Sequence, residues 1–549
     1  MSRLNHLWPL LLLTGIVFFA YARVTTLYFQ QDEWVGFGQI LSNTFPEVVR
    51  NYSLLDLVVG KDRILAVPLN YVLFWLRPFS SLPYALYAIV NHIFNTMLVY
   101  LVIYNVIKHK LISSVGSLFF GLSFVSHQAV TWFGAVTTTQ PSTTFFLISV
   151  LLLQKYLSDS SSKYLYGFQV AAIISFLLKE SSLFLLLYLP LYARLVNGKI
   201  PILRTFGLLF GYNALVAFMR IHYFFSPVGQ TGSFVSRSLN VIAKLGIHLL
   251  MFPLLSISQY IIPPHVMFKM ASLYQAVEYK FLASNMLSQA VAENIVTDFF
   301  SLFFSGAILF LAFLLLKVKT YRVLGVGGIA LMLTGVLPYV VLDKGTSYLD
   351  SRYYYTGMVG TAFLIAAFIH YLALNKHIHR GIFLVSMGVV IFGLYKNFVF
   401  IQREINRQRL ISDERTYILK RVKELHPALP NRVVFYITGS KNNYYGLDGL
   451  SVPFQLGPGF TFMVWYFQGG TVSKELIAEN FLTDLRFQGY REIGGRGFGY
   501  FTSLLELESS IKKNKSLEKE NIVALYYDSE KKALSDISEK IKKRINENQ

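Results

Sequence analysis

The chain has 549 residues and not one cysteine. Disulfides, thiolate nucleophiles and cysteine-held zinc are therefore excluded. Charge is scarce too: Asp, Glu, Lys and Arg make up 15% of the residues, where soluble domains carry about 25%. Acidic residues are the rarer sign, 30 against 50 Lys and Arg, which leaves a formal charge of +20. No Walker A loop, HExxH or GxSxG occurs, so nucleotide hydrolysis, zincin chemistry and an α/β-hydrolase have no footing. No repeat of fixed period is present.

What is there is apolar. Hydrophobic residues reach 54% and aromatic residues 16%, with a mean hydropathy of +0.47. Such a surface needs a bilayer to cover it. The Lys and Arg cluster at the ends of apolar runs, which marks membrane topology and not a phosphate-tracking stripe, so nucleic acid is not a partner. Apolar runs near 7–22, 83–107, 111–126, 129–153, 167–178, 181–196, 203–221, 299–316, 323–342, 354–374 and 381–399 predict about eleven transmembrane helices. Lys108-His109-Lys110, Lys155 with Lys163, Arg194 to Arg204, Lys317 to Arg322 and Lys376 to Arg380 fall on one side, the cytoplasmic side by the positive-inside rule. The N-terminus is then cytoplasmic, and everything after Phe400 is extracytoplasmic.

Two apolar stretches do not fit that count. Residues 64–76 contain Pro68 and are too short to span, so they read as a helix at the outer interface, within an outer loop over 23–82. Residues 239–264 are long enough to cross, but the amphipathic 266–298 could not return the chain. The region 239–298 therefore reads as re-entrant or interfacial. Arg3, an apolar core and Ala20-Tyr21-Ala22 give the start of the chain a second reading, a cleavable signal peptide.

The composition changes near residue 401, which divides a bundle over 1–400 from a soluble region over 401–549. Residues 401–426 read as a charged helix closed by Pro427 and Pro430. Arg432 to Ile437, Phe460 to Phe467 and Ile522 to Tyr527 read as strands, with helical patterns at 474–485, 503–513 and 530–546. That alternation predicts a small α/β domain. The Lys/Glu-rich end, 511–549, reads as a solvated helical tail.

Chemistry-bearing residues gather at the outward ends of the spans. Gln31-Asp32-Glu33-Trp34 follows the first span. Two carboxylates at a membrane surface are costly unless solvated, paired or used. They read either as a hydrated pair or as a general base that takes a proton from an acceptor hydroxyl. Lys61-Asp62-Arg63, His127-Gln128, Lys179-Glu180, Arg220 with His222, and Asp350-Ser351-Arg352-Tyr353 share that face. Their cations could bind a lipid phosphate and stabilise its charge as it leaves. Each also has a plainer reading. Lys179 and Glu180 suit an ion pair, Arg352 a snorkelling anchor, His92 and His127 helix packing, and Tyr353-Tyr354-Tyr355 with Trp132 an aromatic belt. A soluble nucleotide-sugar donor would be on the other side of the membrane, which points to a donor already carried across on a lipid.

These residues resemble the GT-C superfamily of integral-membrane glycosyltransferases, nearest its protein O-mannosyltransferase and aminoarabinose-transferase-like branch. The resemblance lies in Asp32-Glu33, Arg63-Ile64-Leu65, Leu69-Asn70-Tyr71, Arg77-Pro78-Phe79 and Asn91-His92-Ile93-Phe94-Asn95. It continues in Ser126-His127-Gln128-Ala129-Val130-Thr131-Trp132, Leu178-Lys179-Glu180-Ser181 and Ser351-Arg352-Tyr353-Tyr354. Two motifs depart from the family: Arg63-Ile64-Leu65 stands for Arg-Pro-Leu, and His127-Gln128 for His-Pro.

The resemblance implies transfer of a sugar from a polyprenyl-phosphate donor to an acceptor hydroxyl on a protein, glycan or lipid, outside the cell membrane and with inversion. Asp32 would be the base, with Glu33 beside it. Arg352, helped by Lys61 or Arg63, would hold the departing phosphate. Lys179, Glu180, His127, His92 and Tyr353 would be secondary. The scheme requires no cofactor, and the divalent metal some relatives use is compatible with it. Two other classes compete: a transporter or flippase, and a non-catalytic membrane scaffold.

Overall fold

A computed structural model describes residues 4–547 except 31, 51, 54, 57–62, 199, 226–238, 264–265, 268, 271–288, 342–348, 375–379, 445–446, 455–456, 467–473, 478, 480–481, 483–487 and 515. Lys61 lies outside the described residues, as do the side chains of Asp32, Arg220 and His222.

The chain opens with α1 (Leu4–Tyr21), α2 (Asp32–Ser42), α3 (Phe45–Arg50), α4 (Ala66–Leu76), α5 (Leu82–Ile107) and α6 (Lys110–Gly121). Two single turns follow, α7 (Gln128–Thr131) and α8 (Phe133–Val136), and then α9 (Thr139–Asp159), α10 (Ser162–Leu178), α11 (Leu183–Val196) and α12 (Ile202–Phe225). The bundle is completed by α13 (Leu239–Gln259), α14 (Gln289–Leu314), α15 (Lys319–Val341), α16 (Met358–Leu374) and α17 (Arg380–Leu425). The eleven expected apolar runs fall largely on helix, with breaks at 122–126 and around 132 and 137–138. Among the described residues, 7 helices are long and apolar enough to cross a membrane, and shorter apolar helices such as α6, α10 and α16 pack among them. The protein is an α-helical, polytopic membrane protein.

Local chemistry sets the ends of these helices. Lys108 and Ser160 take left-handed backbone conformations (φ 55° and 51°) that stop α5 and α9. The His109 ring caps α6 by accepting the Ile112 N–H at 3.3 Å. Helices α15 and α16 cross where Gly328 meets Gly360, and a Cβ on either would fall on the other's carbonyl oxygen. That is how small residues let membrane helices approach closely. In the region read as re-entrant, α13 packs on α14 and α15, and Ser258 bonds Ser305 and Ser301. Helix α4, expected at the interface, has 11 residues, with Tyr71 and Phe74 buried and Trp75 and Leu76 exposed.

Helix α17 runs unbroken for 46 residues through position 400, a length of about 69 Å. It carries the chain from the bundle into the C-terminal layer. There β1 (Arg432–Gly439), β4 (Gly489–Ile493), β5 (Arg496–Phe501), β6 (Ile522–Asp528) and β7 (Ala533–Asp536) form one sheet in the order β4-β5-β1-β6-β7. A separate hairpin is made by β2 (Asn443–Tyr444) and β3 (Leu447–Asp448). The three central strands are parallel and the two edges antiparallel. Val433, Phe435 and Ile437 of β1 face the side shared with the bundle, and Val434 and Tyr436 the opposite side. Both faces of β1 are covered.

Three expectations are corrected here. The strand expected over 460–467 is helix as far as the residues are described: Pro458–Tyr466 is helix α18, followed by α19 (Lys474–Ile477). Phe460, Thr461, Phe462, Met463 and Val464 are all buried, so the apolar run lacks the helical period that would have distinguished it. Residues 530–546 are not one helix, since β7 precedes α21 (Ser538–Glu547). The end of the chain is not a solvated tail either. Strand β6 lies inside the sheet, and Ile541 and Ile545 of α21 are buried with Leu507 and Ile511 of α20 (Leu504–Lys513).

Candidate active site

Helix α2 begins at Asp32, so the acidic pair occupies the first turn, where the exposed N–H groups and the helix dipole favour negative charge. Glu33 is 5% exposed. Its Oε1 accepts the Gly134 N–H at 2.9 Å and its Oε2 the Gln30 N–H at 3.3 Å. The carboxylate thus ties the start of α2 to the turn before α9.

A cavity of about 310 Å3 opens on one side of this tie, lined by Gln30, Gln128, Trp132, Arg352 and, from α17, Arg407, Gln408, Ser412 and Arg415. Arg352 sits against two rings: its guanidinium carbon is 3.7 Å from the Trp132 ring centre and 4.7 Å from that of Tyr353. Its Nη2 pairs with Asp350 at 3.2 Å and donates to the Tyr353 hydroxyl at 3.1 Å. Its Nη1 is buried without a hydrogen-bond partner among the described residues, as are Trp132 Nε1, Gln128 Oε1 and Gln408 Oε1. Arg415 is 2% exposed, and its Nε donates to the Pro453 carbonyl at 2.7 Å. Arg407 pairs with Glu404 at 2.6 Å. Three guanidinium groups against two paired carboxylates, Asp350 and Glu404, leave the surroundings of the cavity cationic.

A second cavity, about 330 Å3, lies on the other side, with Glu33, Arg63, Asn70, Tyr84, Thr137 and Thr138 in its wall. Arg63, held in the left-handed region at φ 56°, grips Glu180 with two bonds of 2.9 Å. Burial alone would push the Glu180 carboxyl up. The Arg63 hydrogen bonds and charge, with Lys179 adding to them, bring it down to about 2. Lys179 is buried and donates to Thr139 Oγ1 at 2.6 Å, with the rings of Tyr339 and Tyr353 at 5.6 and 5.8 Å. A third, open cavity of about 1090 Å3 is walled by apolar residues of α2, α4 and the turn after α4, among them Leu41, Phe74, Trp75 and Phe79.

The histidines are engaged in packing. His92 donates through Nε2 to the Gly121 carbonyl at 3.0 Å, because a carbonyl can only accept, and its Nδ1 accepts the Tyr355 hydroxyl at 2.9 Å. His127 Nδ1 donates to the Phe124 carbonyl at 2.6 Å and lies 3.0 Å from Ser351 Oγ. The structure thus brings Arg352 to the first cavity, with Tyr353 against its guanidinium, and Glu33 and Arg63 to the second. Arg63 is committed to Glu180. Arg407 and Arg415 were not among the sequence candidates. Their signal was present: positions 407, 411 and 415 repeat every four residues, one face of a helix. Among the described residues no group of three or more His, Asp and Glu could hold a metal ion.

No family model matches the chain, and no curated protein does. Among solved structures, the crystal structure of ArnT from Cupriavidus metallidurans in the apo state is similar over 96% of this chain and 94% of that one, at 10% identity and a TM-score of 0.34. A likeness at that score carries no argument about chemistry, which rests on the residues themselves.

Proposed function

We propose that the chain is a GT-C-type, mannosyltransferase-like membrane glycosyltransferase. It moves a sugar from a polyprenyl-phosphate carrier to an acceptor hydroxyl at the extracytoplasmic face, with inversion. The observation that supports this reading is the cationic cavity around Arg352, whose wall residue Gln30 donates its N–H to Glu33 of the acidic turn. The open apolar cavity beside α4 suits an isoprenoid tail. In the reaction, Asp32 takes the proton of the acceptor hydroxyl as its oxygen attacks the anomeric carbon. The bond from that carbon to the phosphate oxygen breaks, and the lipid phosphate leaves with the electron pair into the field of Arg352, Arg407 and Arg415. Glu33, beside the base, orients the turn by accepting the Gly134 and Gln30 N–H groups.

The test is Asp32→Asn in purified protein, supplied with a panel of polyprenyl-phosphate sugars. Asn is nearly isosteric but takes no proton at neutral pH, so turnover falls by at least ~100-fold while donor binding holds. Transfer at the parental rate would remove Asp32 from the reaction. A parent that moves a solute and forms no covalent product would replace the transferase reading with a transporter.

A further inference from the structure

The C-terminal layer does not stand apart from the bundle. One hydrophobic core runs through both, from Trp34, Phe37 and Leu41 of α2 to Phe460, Met463 and Val464 of α18. The two sets have matching spacing. Positions 34, 37, 38 and 41 form one helical stripe, and 460, 463 and 464 form another. They meet at Gly38, where an added Cβ would lie 2.8 Å from Phe460 Cζ and 3.0 Å from its Cε1, with Val464 Cγ2 at 3.5 Å. Phe460 is 1% exposed, so its ring has little room to yield. Just before α18, the Pro453 carbonyl accepts Arg415 Nε at 2.7 Å. Arg415 is a wall of the cationic cavity.

We infer that Pro453 and α18 form a clamp that fixes the acidic turn of α2 relative to the cationic cavity, with Gly38 and Phe460 as its positioning residues. The C-terminal layer is then a working part of the transfer site and not a tethered module. This rests on the transferase reading for its catalytic consequence. Its physical basis is geometric: α2 carries the acidic pair at one end and the α18 contact about 9 Å further along (1.5 Å per residue), so a helix displaced at Gly38 displaces the pair. Misplacement of about 1 Å at a reacting group can cost ~100-fold.

Full-length Gly38→Val tests it, read by turnover per folded molecule and by hydrogen exchange of residues 32–42. Exchange in α2 speeds up, kcat falls roughly ten- to a hundredfold, and the donor KM stays within about twofold, since the phosphate is held elsewhere. Phe460→Ala in the same chain makes room for the valine and restores most of the kcat. A general folding defect would instead lower the amount of folded protein and leave kcat per folded molecule unchanged. Unchanged exchange in α2, or faster exchange with parental kcat, overturns the clamp. A parent that transfers no sugar overturns the transferase reading and the clamp's catalytic role with it; an active parent with an unaffected variant overturns the clamp alone.

Discussion

Replacing Arg352 separates a phosphate clamp from a membrane anchor. Its side chain is 16% exposed, with the guanidinium 3.7 Å from the Trp132 ring centre and steered by Asp350 at 3.2 Å. A hydrogen bond from a charged donor to a phosphate oxygen contributes about 1.5–3 kcal/mol. Arg352→Ala loses that bond and the local charge, so about 3 kcal/mol, or roughly a hundredfold in donor use, is the expected loss. Arg352→Lys keeps the charge but gives up the planar fork and most of the stack on Trp132, a cation–π contact of about 0.5–2 kcal/mol. Its loss should be near tenfold, between parent and alanine. Trp132→Leu removes the stack alone and should cost no more than the lysine variant. The assay is release of polyprenyl phosphate from a polyprenyl-phosphate sugar by protein in lipid nanodiscs, with donor binding measured in parallel. An anchor that only snorkels predicts parental turnover for both Arg352 variants. That result would refute the clamp and move the search to Arg407 and Arg415.

Three more outcomes are expected. The Glu180 carboxyl, ordinarily near 4.5, is lowered to about 2, so its pairing with Arg63 stabilises the fold fully above about pH 4.5. That contribution is lost as the pH falls through about 2, and Glu180→Gln should flatten the melting temperature across this window. His92→Ala leaves the Gly121 carbonyl and the Tyr355 hydroxyl without their partner inside the bundle, at a cost of about 1–3 kcal/mol; its thermal midpoint should drop while turnover per folded molecule holds. A reporter active only in the cytoplasm, fused after residue 549, should stay silent, and a strong signal would reverse the orientation drawn from the basic loops.

The bundle was legible because lipid imposes one rule, long apolar runs, and runs survive without knowledge of neighbours. The C-terminal layer was less so, because burial on every side erases period. Phe460 to Val464 has the aromatic and β-branched composition of a strand, yet Pro458 at the first helical position marked a helix start. The hairpin β4–β5 was signalled by Gly494-Gly495, both with positive φ (61° and 77°), a two-residue turn that only glycine takes easily.

The cationic cavity shows a different limit. Hydropathy changes near residue 400, but the backbone has no reason to stop there: Gln402, Arg403 and Glu404 are good helix formers. The span over 381–399 and the charged helix over 401–426 are parts of one continuous helix, and Arg407 and Arg415 read in the sequence as ordinary charge. Only the continuity of α17, rising past Trp132 and Arg352 and held at Arg415 by Pro453, converts them into a wall. A polar helix face carries no mark of what stands opposite it. The sequence supplied the spacing of that face, and its meaning came from a tryptophan more than 270 residues earlier.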